Sequence, residues 1–353
     1  MPFKFSDAQK NALQRFLERR NLKERTIELL GAALASNSLK RGDLTQNQSA
    51  TYEKLIDDVE TAIKKKWLTE DDLITLLDES ELAGRQHICV FSIQAKSADA
   101  VLSEVLTPDY LTTDLPVLED FWTVPTTPTA RLLRATKTEA VVKIVTDRRY
   151  WLREIDLKRS TTEEEWIHRW TERERSAILV KFSKSTNRLQ VRIPPKEKAS
   201  QSESGKSVYE FVRDALSQHY DLDEKNSWFR QLGQFPIIDS YPEILKNRKD
   251  FVLRYDAPES DTAKSRLSKK GSLSELEDLR DDPMWTFEKS ADYARKALRG
   301  AWIVGESPIY SHLNWDHVRL SDGGETDLAR VFIPRLAKDA EVDHVIQRIS
   351  EHF

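Results

Sequence analysis

The spacing of apolar residues changes near residue 85, and this change constrains the fold more than any other feature of the sequence. Before it, apolar side chains recur at helical spacing in four segments, and residues that cap helices, Ser6 and Thr69, precede two of them. Thr69 and Asp72 have the spacing of a capping box with Asp in place of Glu. Short connections predict a compact helical bundle domain over residues 1–85. The predicted helices span residues 6–20, 22–34, 49–66 and 69–82.

Beyond residue 85 the sequence favours strands, and we predict a larger α+β body with antiparallel β-hairpins over residues 86–353. Residues 87–94 are rich in Ile, Val and Phe, as in a buried strand. The polar four-residue loop 184–187 predicts one hairpin, and a second is predicted to turn at Asp147-Arg148-Arg149. The two hairpins pair residues 139–147 with 150–157 and residues 177–183 with 188–193.

Helices and polar segments complete the predicted body. Residues 162–175 place acids first and arginines last, which suits a helix macrodipole, and Trp166 and Trp170 fall on one helical face. Further helices are predicted over residues 98–106, 208–219, 273–298 and 342–352, strands over residues 251–255, 301–304 and 329–334, and polar linkers at 194–207 and 256–272.

Composition excludes several classes of protein. The 353 residues include only 10 glycines, which disfavours folds that cradle phosphates at tight glycine turns. The sequence has no Walker, dinucleotide-binding, zincin or nucleophile-elbow motif. A single cysteine, Cys89, excludes an internal disulfide framework and multi-cysteine metal sites. We expect no cofactor, no membrane span and an intracellular location, cytoplasmic or, in a eukaryote, nuclear.

Positive charge is concentrated between residues 131 and 198. This region contains 18 Lys and Arg against 10 Asp and Glu, although the whole chain has a net charge of −4. Strand alternation places a set of basic residues opposite the apolar ones, on a solvent face that would neutralise nucleic-acid phosphates without reading bases. An ordinary solvated sheet face or a protein-binding surface would have the same pattern. The basic set is Lys143, Arg153, Lys181, Arg188 and Arg192.

One short motif suggests a nuclease. Glu154-x-Asp156-x-Lys158 resembles the acid–x–lysine strand motif of PD-(D/E)xK nucleases, and Asp147 at the predicted turn would supply the upstream acid. The resemblance implies that the carboxylates hold Mg²⁺ and that the lysine supports the attacking water. Because alternation puts this motif on the face assigned to Leu152, it competes with the basic surface.

A second motif resembles the first half of an HNH endonuclease site. Asp316-His317 precedes a Gly323-Gly324 turn, and the resemblance implies a helix after the turn, a histidine that activates water and an aspartate that binds the metal. The later Asn and His of that family have no counterpart in this sequence. His312 lies close to the pair, but the remaining histidines are scattered and predict no metal site.

The sequence therefore predicts a non-enzymatic adaptor. Its basic sheet face would contact the backbone of DNA or RNA, and its helical domain would dock a protein partner. One alternative is a metal-dependent nuclease that uses either Asp147, Glu154 and Lys158 or Asp316 and His317. The other alternative is a purely protein-binding subunit of a complex.

Overall fold

The computed structural model is α+β, with helices first along the chain and strands after them. Contacts divide it into two compact units, one of Met1–Gly84 with Asp114–Thr126 and the other of Arg85–Thr113 with Thr127–Phe353. The structure describes residues 3–20, 22–38, 44, 49–82, 85–106, 111–156, 158–159, 164–194, 210, 213–214, 216–217, 220, 232–235, 237–258, 267–268, 278–281, 295–304, 307–319, 325–334 and 337–352.

Local caps determine where two helices of the first unit begin. Ser6 Oγ accepts from the Gln9 N–H at 3.2 Å, and Gln9 Oε1 accepts from the Ser6 N–H at 2.9 Å. Thr69 and Asp72 form the predicted reciprocal pair, with the Thr69 N–H donating to Asp72 Oδ2 at 2.8 Å. The helices of this unit are α1 (Asp7–Arg19), α2 (Lys23–Ser36), α3 (Tyr52–Lys64) and α4 (Glu70–Leu82).

A segment from later in the chain completes the first unit. Asp114–Thr126 contains a short 3₁₀ turn, Leu118–Phe121. The Phe121 ring packs edge-on against Phe16 with centroids 5.8 Å apart. The apolar rings at this contact tie the segment to α1.

Eleven strands of the described chain form one antiparallel sheet in the second unit. They are β1 (Gln86–Ile93), β2 (Thr129–Ala135), β3 (Glu139–Ile155), β4 (Ile167–Ser183), β5 (Arg188–Ile193), β6 (Leu232–Gln234), β7 (Phe251–Pro258), β8 (Leu267–Ser268), β9 (Arg295–Val304), β10 (Ser307–Arg319) and β11 (Glu325–Ile333). Their order is β2-β3-β4-β5-β1-β11-β10-β9-β7-β8, and β6 pairs with β1. The helices of this unit are α5 (Ala98–Leu106), α6 (Ile237–Lys246) and α7 (Asp339–Ser350).

The sheet has a separate hydrophobic core on each face. Successive residues of a strand lie on opposite faces, so Ile88 and Cys89 of β1 belong to different cores. Cys89 packs with β3, β4, β5 and α5, whereas Ile88 packs with β9, β10, β11, α6 and α7. We call these two sides the α5 face and the α7 face. None of the helices in the described segments is long and apolar enough to cross a membrane.

The structure corrects several local predictions. The turn at Asp147–Arg149 is wrong, because β3 continues through it and Asp147 pairs with Arg175 of β4. The helix over residues 162–175 is also wrong, since β4 begins at Ile167. The hairpin at residues 184–187 is confirmed.

Corrections also fall in the polar segments. Residues 256–258 belong to β7 and residues 267–268 form β8, although both lie in the predicted linker 256–272. Arg295–Val304 is a strand, so the predicted helix 273–298 is wrong at its end. Within the rest of that predicted helix the described residues 278–281 contain a short 3₁₀ turn, Leu279–Asp281. Its other residues, most of the predicted helix 208–219 and the linker beyond residue 194 lie outside the described residues.

Candidate nucleic-acid interface

The register places the predicted basic set on one side of the sheet. Directly opposite residues of paired strands share a face, and so do alternate residues of one strand. The register of the β3–β4 and β4–β5 pairings shows that this side of the sheet is the α7 face. The residues placed there are Lys143, Arg153, Lys181, Arg188 and Arg192.

Three of these residues are buried, so the predicted solvent face is wrong for them. Lys143 and Lys181 are each 3% exposed, and Arg192 is 0% exposed. Arg188 is half-buried, with its guanidinium 5.3 Å from the centre of the Phe235 ring, and burial lowers the pKa of Arg188. A phosphate backbone cannot reach buried cations in this conformation.

Helix α7 supplies the carboxylates that pair with two of the buried cations, Arg192 and Lys181. Arg192 donates to Asp339 Oδ1 at 2.6 Å, to Asp343 Oδ1 at 2.9 Å and to Gln190 Oε1 at 2.7 Å. Lys181 Nζ lies 3.2 Å from Asp339 Oδ2 and also bonds Asp343. Burial opposes ionisation of Asp339, but Arg192 and Lys181 outweigh it and lower the pKa of this carboxyl. These residues form an internal ion network that fixes α7 on the sheet.

Beyond this network β3 and β4 continue as a two-stranded ribbon. We define the ribbon as residues 146–155 and 167–176, which pair in register along their whole length. β2 pairs with β3 only as far as Val145, and β5 pairs with β4 only from Leu179 onward. No third strand of the described chain flanks the ribbon, which is about 30 Å long at the usual rise per residue.

One face of the ribbon is rich in arginine. Arg149 and Arg173 lie directly opposite each other, and their side chains are 68% and 43% exposed. Both Nε atoms contact Asp147 Oδ2, at 3.1 and 2.9 Å. Arg169 is also exposed. We call this side the arginine face; its charged register positions are Asp147, Arg149, Arg153, Arg169, Arg173 and Arg175.

The other face of the ribbon has the opposite charge balance. Its charged register positions are Arg148, Glu154, Glu172 and Glu174. Alternation therefore concentrates five arginines with a single aspartate on one side and leaves an excess of glutamates on the other. Of the predicted basic set, Arg153 is the residue that belongs to this arginine face.

Apolar side chains are exposed at the end of the ribbon. Ile155 and Ile167 are register partners, 46% and 38% exposed, and Trp166 beside them is 51% exposed. The Asp156 N–H donates to the Trp166 carbonyl oxygen at 2.8 Å and holds the end of β3 beside the beginning of β4. We call these three residues the ribbon tip.

The structure does not bring the PD-(D/E)xK-like residues together. Asp147 and Glu154 are seven residues apart on β3, which separates them by about 23 Å along the strand and places them on opposite faces. Asp147 contacts arginines, and Lys158 is exposed beyond the end of β3. The hypothesis required a turn at Asp147, and the continuous strand removes that turn.

The HNH-like residues lie in a different context from the one that the motif implies. Asp316 and His317 are successive residues of β10, opposite Leu328 and Asp327 of β11. The motif requires a helix after the turn, but the next described element is the strand Glu325–Ile333. Among the described residues, no group of three or more His, Cys, Asp or Glu could hold a metal ion.

Comparisons with known proteins identify no family for this chain. No family model matches the sequence, and no curated protein matches it. Among solved structures, an "Ntf2 like protein involved in plasmid conjugation" aligns with 70% of this chain and 91% of its own, at 12% identity and a TM-score of 0.13. An overlap this poor carries no structural argument.

Proposed function

We propose that this protein is a non-enzymatic binding protein whose arginine face contacts the phosphate backbone of duplex DNA. The observation that supports the proposal is the asymmetry of the ribbon, with five arginines and one aspartate at the charged positions of one face. A two-stranded ribbon has the width of the DNA major groove, whereas the major groove of duplex RNA is too narrow and deep to admit one. Arginine binds phosphate oxygens bidentately, which favours it over lysine at such a surface.

The arginines are spaced so that they would follow a backbone. Arg149 and Arg173 form one cross-strand pair, and Arg153 and Arg169 form the next charged pair, about 13 Å further along the ribbon. Asp147, which is half-buried, pairs with the first two arginines, whose side chains are exposed to solvent. Ion pairs with an exposed partner contribute little to stability, so phosphate oxygens can replace the carboxylate at small cost. Contacts of this kind position a protein on DNA and carry no base preference.

A protein partner is a second candidate for the ribbon tip. Exposed Ile155, Trp166 and Ile167 form an apolar group at the end of a strand pair, and grouped exposed apolar residues are typical of protein contacts. The helical first unit remains part of the proposal as the docking site for a partner. The intracellular location also belongs to the proposal.

The proposal is tested with labelled duplex DNA and two variants that each lose two positive charges. In R149Q/R173Q both charges come from the arginine face, and in R15Q/K64Q they come from exposed residues of the first unit. We expect micromolar binding by the native chain and a loss of roughly tenfold or more in R149Q/R173Q, because each phosphate contact releases counterions. R15Q/K64Q should bind as the native chain does.

Fluorescence anisotropy at fixed salt gives the dissociation constants for duplex DNA, single-stranded DNA and duplex RNA. Equal losses of DNA affinity in the two variants would show a general charge effect and would contradict binding through the arginine face. Absence of binding to every nucleic acid would leave the partner at the ribbon tip as the function, with W166S expected to abolish capture of that partner. Cleavage of any substrate in the presence of Mg²⁺ would contradict the non-enzymatic proposal.

A further inference from the structure

A second charged cluster lies on the α5 face, away from the ribbon. His87, Phe332, His312 and Arg299 are successive register partners across β1, β11, β10 and β9. On the other side of β1, the register partner of His87 is the apolar Ile193 of β5. Local sequence patterns do not reveal this cluster, because His87 lies more than 200 residues before its other members.

The aromatic rings of the row pack around one phenyl group. The His87 and Phe332 rings are stacked with centroids 4.5 Å apart, and the His312 ring meets Phe332 at 5.3 Å and a 62° tilt. Arg330 donates to His87 Nδ1 at 3.4 Å, and the Arg85 guanidinium lies 5.7 Å from the centre of the Phe332 ring. Two imidazoles and the Arg85 guanidinium therefore adjoin one apolar ring, and the Arg330 guanidinium adjoins His87.

Exposure increases outward through the cluster. His87 and Arg330 are 7% exposed, His312 and Phe332 are half-buried, and Arg299 is exposed. A ligand would meet Arg299 at the surface and His312 behind it. Buried polar groups at the inner end would then provide hydrogen bonds in a low-dielectric environment, where they are strongest.

The charges that act on the two imidazoles are predominantly positive. Burial and then Arg330, Arg148 and Arg85 lower the pKa of His87 to about 3. Burial and then Arg299 and Arg330 lower the pKa of His312 to about 4. Both rings are neutral at pH 7 and each carries one N–H donor.

Two further groups adjoin the cluster at the base of the ribbon. Arg148 donates to the Pro194 carbonyl oxygen at 2.7 Å, and its register partner is Glu174. Among the described residues, the charged groups that act on these two histidines are mainly arginines, which creates a local potential that favours an anion.

We propose that Arg299, His312, Arg330 and His87 form a binding site for a phosphate dianion, either free or as the phosphate of a small ester. Guanidinium forks and imidazole N–H groups are the donors that suit phosphate oxygens. Phe332 provides an apolar wall against which the organic part of an ester can pack. The site lies on the opposite sheet face from the arginine face and does not depend on DNA binding.

Calorimetric titration of the full chain near pH 7 tests the site with inorganic phosphate, phenyl phosphate and glutarate. The variant R299Q removes an exposed arginine of the site, and K249Q removes an equally exposed charge of the same unit. We expect both phosphates to bind and R299Q to weaken them about tenfold, the usual effect of losing a charged hydrogen bond. K249Q should bind as the native chain does.

The outcomes separate the two sources of phosphate. Tighter binding of phenyl phosphate supports the site with an ester as its ligand, and equal binding supports it with the free ion. The proposal is overturned if neither phosphate binds at millimolar concentration, if glutarate binds in their place, or if K249Q loses as much affinity as R299Q.

Proton uptake provides a readout that a general charge effect would not produce. Sulfate keeps its double charge while the imidazoles titrate, and a dianion beside His87 and His312 raises the pKa of both above their values of about 3 and about 4. Sulfate binding between about pH 4 and 5 should therefore take up protons. The heats of sulfate binding in two buffers of different ionisation enthalpy give the number of protons. Binding without proton uptake would contradict an anion placed against these rings.

Discussion

Replacing Asp339 by asparagine should lower the free energy of unfolding by about 3 kcal/mol, the usual cost of removing one partner from a buried ion pair. Arg192 is fully buried and Lys181 nearly so, and both donate to the Asp339 carboxylate. Among the described carboxylates, the substitution leaves these two cations with only Asp343 as an ion-pair partner, and the Asp343 side chain is 38% exposed. Asp339 is also the first residue of α7, where a negative charge stabilises the helix dipole.

Urea unfolding of D339N, compared with E243Q, measures this effect. Glu243 pairs with Lys246 on the surface, with both side chains more than half exposed, so E243Q should cost less than about 0.5 kcal/mol. A double variant R192M/D339N should be less destabilised than the sum of its single changes, because it removes the unpaired charge. Equal midpoints for D339N and E243Q would contradict the ion network.

Acidification should destabilise the protein through His87 before the buried carboxylates are protonated. The pKa of His87 is about 3 in the folded chain and 6.5 in the unfolded chain, so the unfolded state binds more protons between these values. Stability is therefore complete above pH 6.5 and decreases as the pH falls toward 3. Integrated over this range, the shift corresponds to about 5 kcal/mol.

The variant H87Q should make the pH dependence of stability between these two values shallower, and the slope that remains comes mainly from His312, whose pKa is also lowered, to about 4. Urea midpoints of the native chain and H87Q at a series of pH values measure the difference in slope. H168Q is the matched control, since His168 is exposed on the ribbon and stacks on Trp170. A native slope that survives in H87Q but disappears in H168Q would show that the wrong histidine has been identified.

The α+β class and the first four helices could be predicted because local signals determine them. The Ser6–Gln9 and Thr69–Asp72 caps act over three residues and appear in the sequence as they do in the structure. The segment around Trp166 and Trp170 was misread because residues four apart share a face in a strand as well as in a helix. The order of the charges does not distinguish a helix from a strand, and in the structure this segment pairs with β3 as a strand.

The location of the basic surface could be predicted only in part. Alternation correctly groups residues by face, but it does not reveal what covers that face. The carboxylates that pair with Arg192 come from 147 and 151 residues further along the chain, and no local pattern indicates such a contact. The arginine face depends on the continuation of β3 through Asp147, which a charged tripeptide without Gly or Pro could have suggested.

The salt dependence of duplex DNA binding tests whether the arginine face contacts phosphates, because its slope counts the phosphates that the protein neutralises. We expect the logarithm of the association constant of the native chain to fall linearly with the logarithm of salt concentration, and the slope of R149Q/R173Q to be shallower by about 2. R15Q/K64Q should keep the native slope. An unchanged slope in R149Q/R173Q would mean that DNA does not contact the arginine face.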